Sequence, residues 1–211
     1  MQRALVILCV LSLLLAAPLQ LWAATEGPNN PATAVDDSST GTIAWLNPTN
    51  VFTSNDSRAR APLDDSGPQS HYLKATNFSF ALTGCTSVDG ITVEIERSEG
   101  GLDLPVVSDA FVKIVRGGTI GGTDKAAAGA WPTTDAIQSY GGVADLWGLS
   151  WTCAQVTASN FGVAISAGCD CGFEEIEDAR IDHMKITVTF SISGTKLLIT
   201  KQETKVRRAG L

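Results

Sequence analysis

Alternation of apolar and polar residues is the feature that most restricts the fold of this 211-residue chain. Its clearest instance is 180–190, where Met184, Ile186, Val188 and Phe190 alternate with polar side chains. Successive side chains of a β-strand point to opposite faces of a sheet, so this spacing predicts a strand with one buried face. Helical spacing of apolar residues is almost absent. The chain is therefore predicted to be all-β.

Further segments show strand patterns of the same kind, and stretches rich in Gly, Asp, Asn and Ser separate them. These segments are 42–46, 71–82, 90–97, 110–115 and 161–166. Short strands with turns between them, and without helical segments, predict an antiparallel β-sandwich that is jelly-roll-like. We assign this β-sandwich domain to residues 41–193.

The N-terminus has the organisation of a secretory signal peptide. Arg3 precedes an apolar run over 4–17, and small residues follow at Ala23 and Ala24. This apolar core is short for a membrane span. We predict that 1–23 is a signal peptide removed after Ala23, with an uncleaved anchor as the alternative. The mature chain is then expected to be secreted and to have no membrane contact.

Two segments outside the strand pattern are assigned as connectors or ends. Residues 24–40 are polar and contain prolines, so we predict a flexible lead-in there. Residues 194–211 form a basic C-terminal tail with five lysines and arginines and one acid. The tail is either a solvated end or an arm that docks on an acidic partner.

The overall charge is acidic, with a formal net charge of −7. An acidic chain has no electrostatic attraction for nucleic acid or for anionic membrane surfaces. We therefore expect no nucleic-acid partner.

Four cysteines remain when Cys9, in the predicted signal peptide, is set aside: Cys85, Cys153, Cys169 and Cys171. An even number in an exported chain predicts two disulfides. Zinc is the alternative, but one residue between the last two cysteines is not the usual zinc-ligand gap. Three pairings are possible. A bridge within the last pair would close a very small ring, so we expect both of these cysteines to pair with Cys85 and Cys153.

A catalytic set is not recognisable in the sequence. The two histidines of the predicted mature chain, His71 and His183, lie in strand patterns, and no Gly-x-Ser-x-Gly elbow is present. We therefore predict a protein that is not an enzyme. A glycoside hydrolase needs only two carboxylates, so that class stays open as a further alternative.

Two aspartates are candidate ligands for a structural calcium ion. Asp56 lies where the chain begins the predicted sandwich, and Asp182 lies at the start of its last strand. Calcium takes six to eight oxygen ligands, many of them carboxylates. Extracellular jelly rolls often hold calcium between these two places. The alternative is an acidic, solvated surface.

Two tryptophans are candidate ligand-binding residues. Trp131 and Trp147 stand next to Pro132 and Gly148, which are turn residues, and an exposed indole stacks well on a sugar ring. The alternative is ordinary core packing, which large aromatic residues supply in any sandwich.

Several segments also carry a family resemblance. They are 45–50 (WLNPTN), 72–80 (YLKATNFSF), 90–97 (GITVEIER), 130–132 (AWP), 145–149 (DLWGL) and 159–164 (SNFGVA), with the closing strand from Ala179. Together they resemble a β-sandwich module of phage virion or tail-associated proteins and of secreted bacterial proteins. The resemblance covers 40–190. It implies a jelly-roll-like fold and a structural or adhesive role, with no catalytic motif to carry over.

Two functional hypotheses follow from these features. The first is a secreted, non-enzymatic surface or adhesion module that binds carbohydrate. The alternative is a structural subunit of an extracellular or virion-like assembly, whose partners are like subunits.

Overall fold

The computed structural model describes residues 20–100, 106–171 and 176–194. In these residues the chain forms ten strands, a 3-10 helix at Pro48–Val51 and one short helix, α1, at Cys153–Val156. The strands are β1 Gln20–Asn29, β2 Thr33–Asp37, β3 Ala59–Leu63, β4 Tyr72–Thr76, β5 Cys85–Gly100, β6 Val107–Arg116, β7 Thr119–Gly121, β8 Ala136–Gly142, β9 Gly162–Cys169 and β10 Glu177–Gly194.

The strands form two sheets that pack face to face. The first sheet has the order β1-β10-β5-β8, with β3 also paired to β10, and the second has the order β2-β4-β9-β6-β7. All of these pairs are antiparallel. The predicted all-β antiparallel sandwich is therefore confirmed. The pairing is also nested, since β1 pairs with β10, β4 with β9, β5 with β8 and β6 with β7.

Strand β10 contains a β-bulge at the point where its pairing with β3 ends. On one side β10 pairs with β5, and on the other side it pairs first with β3 and then with β1. Ile181 lies opposite Arg97 and His183 lies opposite Glu96, which leaves Asp182 as the extra residue. The bulge explains why the buried side chains Ile181 and Met184 are three positions apart rather than two.

The two tryptophans predicted as exposed ligand-binding residues are both in the core. Trp131 and Trp147 are each 0% exposed. The indole Nε1 of Trp131 donates to Asp109 Oδ1 at 2.8 Å, and that of Trp147 donates to the carbonyl oxygen of Ile91 at 3.0 Å. Neither ring has a free face for a sugar, so that prediction is wrong. A neighbouring turn residue places the backbone near the surface but does not decide where a large apolar side chain packs.

A buried ion pair lies among these core aromatic residues. Arg97 pairs with Asp109, and their side chains are only 5% and 0% exposed. The Asp109 carboxylate also accepts hydrogen bonds from the indole of Trp131, from the hydroxyl of Tyr140 at 3.0 Å and from the amide of Ala127 at 2.8 Å. The guanidinium of Arg97 stands 5.0 Å from the centre of the Trp131 ring. The carboxylate therefore connects both sheets with the loop before β8.

Burial, reinforced by the charge of Asp109, raises the pKa of the Tyr140 hydroxyl well above its usual value of 10.0. The folded state thus keeps a proton that the unfolded chain loses above about pH 10. The contribution of this proton to the free energy of unfolding is fully present below that pH. It is expected to decrease as the pH rises above it. Tyr140→Phe removes the titrating group, so its unfolding free energy should fall less between about pH 8 and about pH 11. Urea unfolding at both pH values checks this, and equal losses in the two proteins would contradict it.

The four predicted cysteines form two disulfides, as expected, but the pairing differs from the prediction. The bridges are Cys85–Cys153 and Cys169–Cys171. Cys85 begins β5, whereas Cys169 lies opposite Val107, whose amide bonds to Glu99 at the far end of β5. A strand rises about 3.3 Å per residue, so roughly 45 Å separates the two ends, and no bridge could span that distance.

The sandwich also begins earlier than predicted. Residues 24–40, expected to be a flexible lead-in, contain the end of β1 and all of β2. Only one side chain of β2, Ala34, is buried, so backbone hydrogen bonds hold the strand, and an apolar pattern does not reveal it. The predicted signal peptide lies outside the described residues except for 20–23, which pair with 191–194. The basic tail lies outside them beyond Gly194.

Candidate functional site

Three aspartates from distant parts of the chain meet at the β10 bulge. Asp182 is the bulged residue, Asp56 lies in the loop before β3, and Asp135 directly precedes β8. One carboxylate oxygen of each lies within 4.8 Å of the others. We call Asp56, Asp135 and Asp182 the aspartate cluster. The structure thus brings together both aspartates predicted as metal ligands and adds a third.

Asp182 is the buried member of the cluster, with 1% of its surface exposed. Its Oδ2 accepts hydrogen bonds from the backbone amides of Asn55 and Asp56, at 3.0 and 3.2 Å. Its Oδ1 has no hydrogen-bond partner in the described part of the chain. A buried carboxylate oxygen without a partner is costly, so this atom calls for a positive or donor group that the described residues do not supply.

Arg58 is the positive group closest to the other two members. Its guanidinium forms ion pairs with Asp135 and with Asp56, the latter at 2.9 Å. The contact between Arg58 and Asp135 lowers the pKa of the Asp135 carboxyl and raises the pKa of the Arg58 guanidinium. Ser98 Oγ donates to Asp135 Oδ1 at 2.6 Å. No hydrogen bond joins Arg58 to Asp182 among the described residues.

A second ion-pair group borders the cluster. Arg60 and Arg180 both pair with Asp178, the latter at 3.2 Å. Arg58, Arg60 and Arg180 line a surface depression of about 220 Å³ together with Asp56. Three arginines therefore face four aspartates here, and the region keeps a small negative excess.

Asp135 and Arg58 were not predicted from the sequence. Asp135 is 47 residues from Asp182 and 79 from Asp56, and no spacing motif connects them. Only the pairing of β8 with β5 and of β5 with β10 brings the start of β8 to the bulge. No local sequence signal could have identified it.

A different feature occupies the outward side of the second sheet. Lys74 and Lys113 lie on either side of Ala164 across β4, β9 and β6. Two residues away on the same face, the rings of Tyr72 and Phe111 are 6.3 Å apart. We call these five residues the outer sheet face. With Val115 and Ile120 its apolar members form a hydrophobic cluster separate from the core.

The charges on the outer sheet face are unevenly paired. Lys74 forms an ion pair with Asp37 on β2. Lys113 has no ion pair within the described residues, and its Nζ stands 5.5 Å from the centre of the half-buried Phe111 ring. An unpaired ammonium beside an aromatic ring is thus available on this face.

Neither histidine belongs to a recognisable catalytic set. His71 Nδ1 lies 2.8 Å from Asp36 Oδ2, and His183 Nε2 lies 3.0 Å from Asn30 Oδ1. In the described residues, neither imidazole is hydrogen-bonded to a Ser, Thr or Cys side chain. Burial lowers the pKa of His183, which keeps it neutral at physiological pH.

Comparison with known proteins returned no match to any family model, any curated protein or any solved structure. Within the described residues, helices are too short or too polar to cross a bilayer.

Proposed function

We propose that this chain is a secreted, non-enzymatic surface or adhesion module that binds carbohydrate through the outer sheet face. The observation that carries the proposal is the half-exposed ring of Phe111, packed on the buried Tyr72 and next to Lys113, which has no ion pair among the described residues. Apolar C–H faces of sugar rings pack on aromatic rings, and nearby polar groups fix their orientation. The proposal moves the binding residues away from the buried Trp131 and Trp147.

Charge favours a particular class of polymer on this face. Lys74 already has Asp37 as its partner, whereas Lys113 forms no ion pair in 20–100, 106–171 or 176–194 and can therefore bind a carboxylate or sulfate group. Ala164, between the two lysines, is fully buried, so Phe111 and the lysines supply the exposed part of this face. A polysaccharide that carries acidic groups therefore fits the outer sheet face better than a neutral one. The net charge of −7 opposes binding of densely charged polyanions, nucleic acid among them, so we expect the polymer to present isolated acidic groups to Lys113.

The two disulfides are compatible with an extracellular protein. So is the observation that helices of the described residues are too short or too polar to cross a bilayer. Cleavage after Ala23 would remove the first four residues of β1. The side chains of Leu21, Trp22 and Ala23 are exposed, so their loss removes little buried apolar surface. Cleavage at the predicted position is therefore compatible with a folded sandwich.

Retention on insoluble polysaccharides, acidic and neutral, tests the proposal. We expect retention on an acidic polymer, and we expect Phe111→Ala or Lys113→Ala to weaken it about tenfold, or about 1.4 kcal/mol. Ile137→Ala is the matched control, because Ile137 is an exposed apolar residue on the first sheet. Unchanged retention of both outer-face variants would contradict the proposed surface. Release of soluble sugar by the protein would contradict the non-enzymatic assignment.

The alternative, a structural subunit of an extracellular or virion-like assembly, is favoured by a different observation. Exposed apolar side chains lie at the β8 edge of the first sheet, where Ile137 and Val143 stand on or beside β8 and remain after the proposed cleavage. Edge strands with exposed apolar residues readily pair with another chain. Sedimentation velocity of the protein with and without 194–211 tests this. Assembly that depends on the tail would favour it over the carbohydrate proposal.

The nested strand pairs also support classing the sandwich as a jelly roll. A jelly roll winds antiparallel strand pairs around two facing sheets. The four pairs β1–β10, β4–β9, β5–β8 and β6–β7 fit that winding, with β2 and β3 as additions.

A further inference from the structure

The aspartate cluster has the features of a site for a divalent cation, and the unpartnered oxygen of Asp182 is the most informative of them. Asp182 is almost completely buried, and its Oδ1 has no hydrogen-bond partner among the described residues. Its other oxygen is held by two loop amides, so the carboxylate is fixed in place. A buried, fixed carboxylate that has one unpaired oxygen and stands next to two more carboxylates is a poor arrangement unless a cation joins them.

The geometry points to a calcium site formed by Asp182, Asp56 and Asp135, in which the ion fastens the loop before β3 to the β10 bulge and to the start of β8. This inference is separate from the carbohydrate proposal, because the cluster shares no residue with the outer sheet face.

The ligand atoms of the cluster fit a hard divalent cation, and calcium best. One carboxylate oxygen of each aspartate lies within 4.8 Å of the others, close enough for one ion to bind all three. Calcium accepts oxygen ligands in a flexible geometry, whereas magnesium demands a near-ideal octahedron, which three side chains on two loops and a bulge are poorly placed to supply. Zinc is disfavoured because the cluster contains no Cys or His. Water would complete the calcium shell.

Arg58 accounts for only part of the negative charge. It contacts Asp56 and Asp135, so one positive charge stands against three carboxylates. These four groups carry a net charge of −2, and the bordering Arg60, Arg180 and Asp178 reduce the local charge to −1, which a divalent ion outweighs. Arg58 pairs with two of the carboxylates that would bind the ion, so the arginine competes with the ion. Three carboxylates and this competition predict a dissociation constant on the order of 10⁻⁴ to 10⁻³ M, typical of extracellular calcium sites.

Calorimetric titration of the purified protein with CaCl₂, after removal of metal with EDTA, tests the site. We expect one ion per chain, together with a rise in melting temperature that EDTA reverses. Asp182→Asn should weaken binding at least tenfold, because the amide oxygen can still accept from the loop but the second oxygen is lost. Asp65→Asn is the control, since Asp65 is exposed and lies outside the cluster. It should bind calcium as the wild type does.

Arg58→Gln supplies a second test that does not depend on Asp182. Removing the competing guanidinium should tighten calcium binding about tenfold, whereas an arginine that merely supports the loop would give unchanged or weaker binding when replaced. MgCl₂ should bind at least tenfold more weakly than CaCl₂. Absence of calcium binding by the wild type, unchanged binding by Asp182→Asn, or unchanged or weaker binding by Arg58→Gln would each overturn the inference.

Discussion

Replacing Asp109 with alanine is expected to lower the free energy of unfolding by about 3–5 kcal/mol. The substitution leaves the guanidinium of Arg97 buried without its carboxylate partner, and the two side chains are only 5% and 0% exposed. It also removes the acceptor of the Trp131 indole and the Tyr140 hydroxyl. Urea unfolding followed by tryptophan fluorescence measures the loss.

A double variant separates the ion pair from simple packing. Arg97→Met with Asp109→Leu removes both charges, so no uncompensated charge is left in the core. We expect the double variant to be more stable than Asp109→Ala alone. Asp65→Asn, at an exposed position, should change stability by less than about 0.5 kcal/mol. A double variant as unstable as the single one would show that Asp109 matters through its packing and its hydrogen bonds with Trp131 and Tyr140, and not through the charge of Arg97.

Removing the Cys85–Cys153 bridge is the second large effect that we expect. The bridge joins positions 68 residues apart. Closing a loop of that length in the unfolded chain corresponds to about 4 kcal/mol of stabilisation in the chain-entropy description. The variant with Cys85→Ser and Cys153→Ser should lose about that much, measured by urea unfolding under non-reducing conditions.

The other bridge is an internal control for this prediction. Cys169 and Cys171 are two positions apart, so their bridge restricts the unfolded chain very little. Cys169→Ser with Cys171→Ser should lose only about 1 kcal/mol. A loss equal to that of the long-range bridge would contradict the loop-entropy explanation.

The last strand shows how far alternation reveals a structure. Met184, Ile186, Val188 and Phe190 were predicted to share one buried face, and all four are buried. The three-residue step from Ile181 to Met184 interrupts that pattern, and the structure explains it by the bulge at Asp182. A bulge forms where two residues of one strand lie opposite a single residue of its partner strand. The sequence of β10 alone therefore could not place it.

The candidate sites show what sequence patterns miss. Asp56 and Asp182 were predicted as metal ligands from their places along the chain, and the structure brings their carboxylates close together. Their role as ligands stays a prediction. Asp135 joins them through two successive strand pairings that no local pattern encodes. The outer sheet face was missed for a related reason. Lys113 lies opposite Ala164 of β9, and the ring of Phe111 packs near the ring of Tyr72 of β4, so the face forms only when these strands come together.

Chemical-shift mapping with a soluble oligosaccharide from the retained polymer tests the central claim most directly. Backbone amide spectra of the protein, recorded with increasing oligosaccharide, show which residues the ligand contacts. The account predicts that the largest shifts fall at Phe111, Lys113 and Ala164, and that the residues around Arg58 stay unchanged. Shifts that centre on the depression lined by Arg58 and Arg180, or that appear nowhere at saturating oligosaccharide, would contradict it.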